Sequence, residues 1–168
     1  PFGVEAPMGH FDEQEFRTTI GHFATGVVIA TGCLEGEPSG FTAQSFSSLS
    51  LDPPLVALCP AKTSTSWPKL RESGNFCINI LGEDQQFVCD IFAQTGIDKF
   101  TEIGWQPGET GSPVLAGVLA YIDCELALEH DAGDHTIAIG RVKDLAVLDA
   151  NRGPLMFFRG GYGQLGEV

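Results

Sequence analysis

The sequence predicts a mainly β domain, a closed or nearly closed antiparallel barrel with peripheral helices. Three observations carry this. Short β-branched or aromatic runs outnumber helical stretches; 21 glycines and 10 prolines supply turn signals between them; and no strand–helix–strand alternation of the kind that builds a parallel sheet is seen. At 168 residues the chain suffices for one domain with a real core, since a domain of about 150 residues buries roughly two-thirds of the surface its unfolded chain exposes. Residues 1–168 therefore read as a single domain, with the first ten as a flexible terminus.

Asp12 and Glu15 have capping-box spacing, and Phe16, Ile20, Phe23 and Ala24 recur at helical intervals until Gly26, a suitable left-handed cap. The spacing predicts a helix over 13–25. Residues 27–31 and 39–46 are extended runs joined by turn-forming residues, a predicted hairpin. Asp52, Pro53 and Pro54 are expected to interrupt pairing, because proline lacks an N–H, before a short buried strand over 55–59. Ser66 as N-cap, with Trp67 and Pro68, opens a short helix that Gly74 closes, and a strand follows over 76–81. Phe87, Val88, Ile91 and Phe92 share one face of a helix over 84–92. Residues 104–117, rich in Gly and Pro, read as a surface excursion. The strand over 118–129 alternates Tyr121, Asp123 and Glu125 against Ile122, Cys124 and Leu126, which marks it as half-buried. The turn 131–134 leads into a strand over 135–147, and 155–158 with 162–165 close the chain around Gly160-Gly161.

Nine basic against 22 acidic residues give a formal charge of −13, which repels nucleic acid and anionic membrane. With only 18% of residues charged, much surface is left for contact with a second copy. Five cysteines, odd in number and widely spaced, form no CxxC pair and no zinc knuckle; buried thiols in a reducing cytoplasm account for them. His10, His22 and His130 show no ligand spacing, so no metal is expected. No long apolar run or signal-peptide pattern stands out, and the cytoplasm is the expected location.

The chemistry concentrates in residues 39–67. Lys62, Thr63, Ser64, Thr65 and Ser66 gather a cation and four hydroxyls before a helix start, where backbone N–H groups and the dipole favour an anion such as phosphate. A solvated loop with an N-cap serine would give the same pattern. In the strand before it, Gly40, Thr42 and Gln44 share one face. A glycine there would let a flat ligand approach the backbone, and a Gln amide with main-chain groups matches the polar edge of an isoalloxazine; strand hydroxyls paired to neighbouring backbone are the plainer reading. His135, after Gly133-Asp134, is either a solvated turn histidine or a group that holds a substrate amide or a proton. There is no GxGxxG opening a helix, no P-loop and no GxSxG.

Taken in order, Phe23-Ala-Thr-Gly26, Gly40-Phe-Thr-Ala-Gln-Ser-Phe46, Ser48-Leu-Ser-Leu-Asp-Pro-Pro-Leu55, Cys59-Pro-x-Lys-x-Ser-x-Ser-Trp67 and Gly74-Asn-Phe-Cys-Ile-Asn79 resemble the short-chain flavin reductases of two-component flavin-dependent monooxygenases. Asp98-Lys-Phe100, Gly111-Ser-Pro113, Tyr121-Ile-Asp-Cys124, Gly133-Asp-His135, Gly140-Arg-Val142 and Pro154-Leu-Met-Phe-Phe-Arg-Gly-Gly-Tyr162 extend the likeness from about Phe11 to Leu165. The resemblance implies an FMN-binding split barrel (an antiparallel Greek-key barrel), a homodimer, and hydride transfer from NADH or NADPH to FMN or FAD. It implies a partner oxygenase that takes the reduced flavin and hydroxylates a phenolic or steroid-derived ring. By carry-over, Pro38, Ser39, Gly40, Phe41, Thr42, Gln44 and Ser45 contact the flavin ring and ribityl chain. Cys59, Pro60, Ala61, Lys62, Thr63, Ser64, Thr65 and Ser66 hold its phosphate. His135 positions the nicotinamide, and Arg159 and Tyr162 bound the nucleotide. The chain departs from many relatives at Gln44, where they carry Asn. Two other classes share such a fold: a non-catalytic flavin storage or sensing protein, and an oxidase of the pyridoxamine-phosphate type, which would need more basic residues than this chain has.

Overall fold

The computed structural model describes residues 11–166; the first ten residues, with His10 and the expected flexible terminus, lie outside the described residues. The capping box forms at α1 (Glu13–Ile20): Asp12 Oδ1 accepts from the Glu15 N–H at 2.8 Å, and Glu15 Oε2 accepts from the Asp12 N–H at 3.0 Å. The helix ends five residues earlier than its apolar spacing predicts. Gly21 caps it in right-handed geometry, and Gly26, expected as the cap, belongs instead to β1 (Thr25–Gly26), because Met156 and Phe157 pair with these residues. A distant strand outcompetes the local helix.

The predicted hairpin forms from β2 (Val28–Leu34) and β3 (Glu37–Ala43), turned at Glu35 and Gly36, both at positive φ, as strand twist favours. Next comes β4 (Ser47–Leu51), a serine-rich edge strand with little apolar alternation to announce it. It leads through a cis Asp52–Pro53 bond into β5 (Pro54–Leu58), and Pro54 pairs with Leu51. The prolines do not interrupt pairing; they sit at an edge turn, where a missing N–H is tolerated.

After β5, α2 (Trp67–Ser73) stops at Gly74, left-handed with φ 73°, and β6 (Asn75–Ile80) follows. On α3 (Gln86–Ala93) the buried residues are Val88, Cys89 and Phe92, while Phe87 is exposed, so Cys89 takes the place expected for Phe87. The predicted surface excursion contains β7 (Trp105–Pro107) and β8 (Pro113–Leu115), and all three residues of β8 are buried. Its backbone is satisfied from the core: Asn79 Nδ2 and Thr31 Oγ1 donate to the Pro113 carbonyl, and the Leu115 N–H donates to Asn79 Oδ1 at 2.8 Å.

The longest hairpin pairs β9 (Ala120–Ala132) with β10 (His135–Val147). Asp123, expected on a solvent face, is fully buried, and its carboxylate accepts from the Thr110 N–H and Oγ1, both at 2.7 Å. The closing pair is β11 (Leu155–Phe158) with β12 (Gly161–Gln164), turned at Arg159 and Gly160, one residue earlier than predicted.

Seven strands form one antiparallel sheet in the order β3-β2-β6-β9-β10-β5-β4, beside a three-stranded sheet β1-β11-β12 and the pair β7-β8. The architecture is mainly β, and the large ladder is open, with β3 and β4 as its edges. Alternation along β2 feeds two cores. Val27 (just before it) and Ile29 pack with Val88 and Phe92 of α3, whereas Val28 and Ala30 pack with Trp67 and Leu70 of α2 and with Phe76.

Candidate active site

The hydroxyl-rich loop 59–66 leaves β5, a neighbour of β10, and the tip of the β9–β10 hairpin folds onto it. The Thr136 N–H donates to the Pro60 carbonyl at 3.0 Å, the Lys62 N–H donates to the Asp134 carbonyl at 2.9 Å, and Ala61 forms a bridge with His135. His135 is thereby fixed beside the loop. Its Nδ1 lies 2.7 Å from Asp134 Oδ1, and the hydrogen bond from His135 holds the Asp134 carboxyl below the usual carboxylate range.

From the other side, β3 and the residues after it run along the same loop and are tied to it at both ends. Ser66 Oγ donates to the Gly40 carbonyl at 2.8 Å. Ser45 Oγ accepts from the Cys59 N–H at 3.0 Å and donates to the Cys59 carbonyl at 3.3 Å. A cleft of about 910 Å³ opens between the two, and it brings together Phe41, Thr42, Gln44, Ser45, Cys59, Pro60, Ala61, Thr63, Ser64, Thr65, Ser66 and His135. Most of the expected site residues thus share one space.

The others are placed elsewhere. Pro38, Ser39 and Gly40 line a neighbouring cavity of about 720 Å³ that shares Thr65, Ser66 and Lys99 with the cleft. Lys62 Nζ turns to the Asp131 carboxylate at 2.6 Å and lines neither space. Arg159 borders a separate notch with Arg17 and His22. The Tyr162 hydroxyl lies 3.0 Å from Cys89 Sγ, at the buried side of α3. Gly40 does not use its missing side chain for a ligand, since a Cβ there would meet Phe92 Cε1 at 2.8 Å and the Ala30 carbonyl at 2.9 Å.

Sequence reasoning did not place Phe16 and Ile20 of α1, residues 92–95 at the end of α3, or Lys99 in this site, yet all line the cleft. The signal for the first two was present but pointed inward: their i, i+4 spacing marks an apolar face, and that face is 51% and 53% exposed rather than in the core. Lys99 Nζ donates to the Phe92 carbonyl at 2.9 Å and the Gly40 carbonyl at 3.0 Å. Burial pushes its ammonium below the usual lysine range, and it forms no ion pair among the described residues.

Much of the hydroxyl chemistry is already engaged. Ser64 Oγ accepts from the Trp67 N–H at 3.1 Å; Ser66, expected to cap α2 with its side chain, serves Gly40; and Thr42 Oγ1 donates to the Cys89 carbonyl at 2.7 Å. Thr63, Thr65 and the third N–H of Lys99 remain to meet a ligand. A flavin fits this donor set: apolar walls from Phe16, Ile20 and Phe41 for the ring, the outer backbone of an edge strand for its polar rim, and a cation with hydroxyls for a phosphate. Among the described residues no cluster of metal-ligating side chains occurs, and no helix is long and apolar enough to cross a membrane.

Comparison with known proteins shows what the chain is similar to. Residues 20–166 match the flavin reductase like domain. The chain is 50% identical over 151 residues to the reductase subunit HsaB of a flavin-dependent monooxygenase from Rhodococcus jostii, a span of 90% of this chain and 77% of that protein. A flavin reductase from Pseudomonas putida is 45% identical over 166 residues, 98% of this chain and 97% of its own length. Among solved structures, nitrilotriacetate monooxygenase component B from Mycobacterium thermoresistibile is similar at a TM-score of 0.90 and 47% identity, covering 92% of this chain and 87% of that one.

Proposed function

The chain belongs to the flavin reductase-like family, and on that premise we propose that it is the reductase component of a two-component flavin-dependent monooxygenase, using NADH or NADPH to reduce FMN or FAD. One observation supports the reading above the others: the edge of β3, the hydroxyl loop and His135, far apart in sequence, line a single cleft of flavin-like chemistry. The relatives named above are reductases, which favours neither the storage protein nor the vitamin-phosphate oxidase.

When bound, flavin supplies a ring nitrogen that accepts hydride from the C4 of a dihydronicotinamide. The chain's own task is orientation, since stacking two rings at contact distance removes most of the entropy of the encounter. Phe41 and the backbone of residues 43–45 would hold the flavin ring, and Thr63 and Thr65 its tail. His135, steadied by Asp134, would offer its outer ring nitrogen to the nicotinamide carboxamide. No residue need act as acid or base for the hydride itself.

The active form is a single-domain split barrel that pairs as a homodimer in the cytoplasm. Supporting this, Phe16 and Ile20 on α1, Leu51 on β4, and Leu145 and Val147 on β10 are all exposed in the single chain, large apolar side chains of the kind a second copy would cover. A partner oxygenase takes up the reduced flavin and hydroxylates a phenolic or steroid-derived ring. The test mixes purified protein with each flavin and each reduced nicotinamide and follows the loss of nicotinamide absorbance. Sustained consumption with excess flavin is expected; no turnover in any of the four mixtures would overturn the assignment.

A further inference from the structure

Helix α1 presents two unlike faces. Phe16 and Ile20 line the cleft, whereas Gln14, Arg17 and Thr18, with Gly21 after them, follow i, i+3, i+4, i+7 spacing along another stripe. That second stripe meets the β11–β12 turn across a notch of about 320 Å³, which His22, Arg159 and Gly160 complete. The Arg159 N–H donates to the Gly21 carbonyl at 2.9 Å, so the turn is anchored at the end of the helix.

Among the described residues the notch is lined by three basic side chains and no carboxylate, in a chain with 22 acidic residues. Arg159 sits at φ 51°, a conformation usually given to Asn or Gly. Its guanidinium lies 5.9 Å from the centre of the Phe158 ring, which His22 meets edge-on, and it forms no ion pair among the described residues. His22 Nδ1 lies 2.9 Å from the Thr18 carbonyl. A carbonyl only accepts, so Nδ1 carries the proton and Nε2 is left over. Arg17 commits Nε and Nη2 to one oxygen of Glu13, at 2.8 and 2.7 Å, in a pair exposed enough to be weak. Gln14 Nε2 donates to Thr18 Oγ1 at 3.3 Å, and the Thr18 hydroxyl proton is still to be given. The carbonyls at the end of α1, which repel anions when bare, are occupied: Arg17 by the Gly21 N–H, Thr18 by the imidazole and Thr19 by the His22 N–H.

We propose that this notch binds a small oxyanion, the carboxylate or phosphate group of a ligand other than flavin or nicotinamide dinucleotide, and that the bound anion ties α1 to the closing hairpin. Arg17 grips it from the helix and Arg159 from the turn, with planar forks that suit either group. No residue of α1 is buried, so this tie steadies a helix whose other face walls the cleft. The binding claim stands apart from the flavin reading; only its effect on the cleft rests on it.

The test titrates inorganic phosphate and succinate, at ionic strength held constant with chloride, into the wild type, Arg17→Gln and Arg159→Asn. Calorimetry reads binding, and hydrogen exchange reads the α1 amides. Both side chains are exposed and Asn suits φ 51°, so the variants should fold. At least one anion should bind the wild type and slow α1 exchange, and each substitution should weaken that binding about tenfold. Tighter binding of phosphate assigns a phosphoryl ligand, and tighter binding of succinate a carboxylic acid. Lys99→Gln separates the notch from the cleft: binding retained there supports the notch, whereas binding lost there and kept in Arg159→Asn moves the anion to the cleft and overturns the proposal. Equal responses in the wild type and both arginine variants reduce the effect to general salt stabilisation and overturn it too. No binding to the wild type does the same, and a raised KM for the reduced nicotinamide in Arg159→Asn would then give the notch to the dinucleotide. A failure of flavin to bind would sink the reading of the cleft and leave this result unchanged.

Discussion

Ser66 donates its hydroxyl proton to the carbonyl of Gly40 at 2.8 Å, and Lys99 donates to the same oxygen at 3.0 Å. One backbone carbonyl therefore joins the edge strand, the hydroxyl loop and the cation at the rim of the cleft. Ser66→Ala removes one of two donors and frees the end of the loop. A loss of about 1 kcal/mol of stability is expected, together with weaker binding of riboflavin, FMN and FAD by a similar factor. A loss confined to the phosphorylated flavins would mean that Ser66 touches the phosphate itself.

Gly40 carries a second constraint. A methyl group there would sit 2.8 Å from Phe92 Cε1 and 2.9 Å from the Ala30 carbonyl, so Gly40→Ala should destabilise by about 1–3 kcal/mol. Shrinking the ring with Phe92→Leu in the same chain should recover part of this, because the clash with the ring is then relieved. Strictly additive losses in thermal or denaturant unfolding would show that the pair does not interact.

His135 is held to loop 59–66 by its neighbours' backbone and not by its own imidazole. His135→Ala should therefore leave the melting temperature and flavin affinity close to wild type while raising KM for the reduced nicotinamide, which steady-state kinetics at saturating flavin would read. Equal kinetic constants in the two proteins would remove His135 from the site.

Burial holds the Asp123 carboxyl above the usual range, partly opposed by the hydrogen bonds from Thr110. The native chain thus keeps this proton at pH values where the unfolded chain, at about 3.9, has released it. More protons are bound in the native state, so this group's contribution falls as pH rises from the unfolded value through the raised native one. Asp123→Asn, whose amide oxygen still accepts from Thr110, should lose that slope. The difference in stability between the two proteins, followed by denaturant unfolding across mildly acidic pH, is the measurement. Parallel curves would place the carboxyl at its ordinary value.

Turn chemistry and capping were legible because they depend on neighbours in the chain. The Asp12–Glu15 box, the Gly74 cap and the β9–β10 turn stand where local spacing puts them. The segments that form the site were legible as well, in the run of hydroxyls at 59–66 and in the resemblance that tied it to His135. Short-range patterns were overridden wherever a distant group made a better partner. Gly26 left the helix for Met156, β8 was drawn into the core by Asn79 and Thr31, and Asp123 was buried beneath Thr110.

What the sequence alone determined was most of the elements, the family, and the polar segments from which a cleft is made. Which members of those segments line the cleft was decided only by the tertiary structure. Lys62 and Lys99 show the reason: each is a lone cation beside polar residues in the chain, and only packing turns the first to Asp131 and the second to the carbonyls of Gly40 and Phe92. A side chain's partner is chosen by distance in space, and loop closure sets that distance between residues whose separation along the chain says nothing of it.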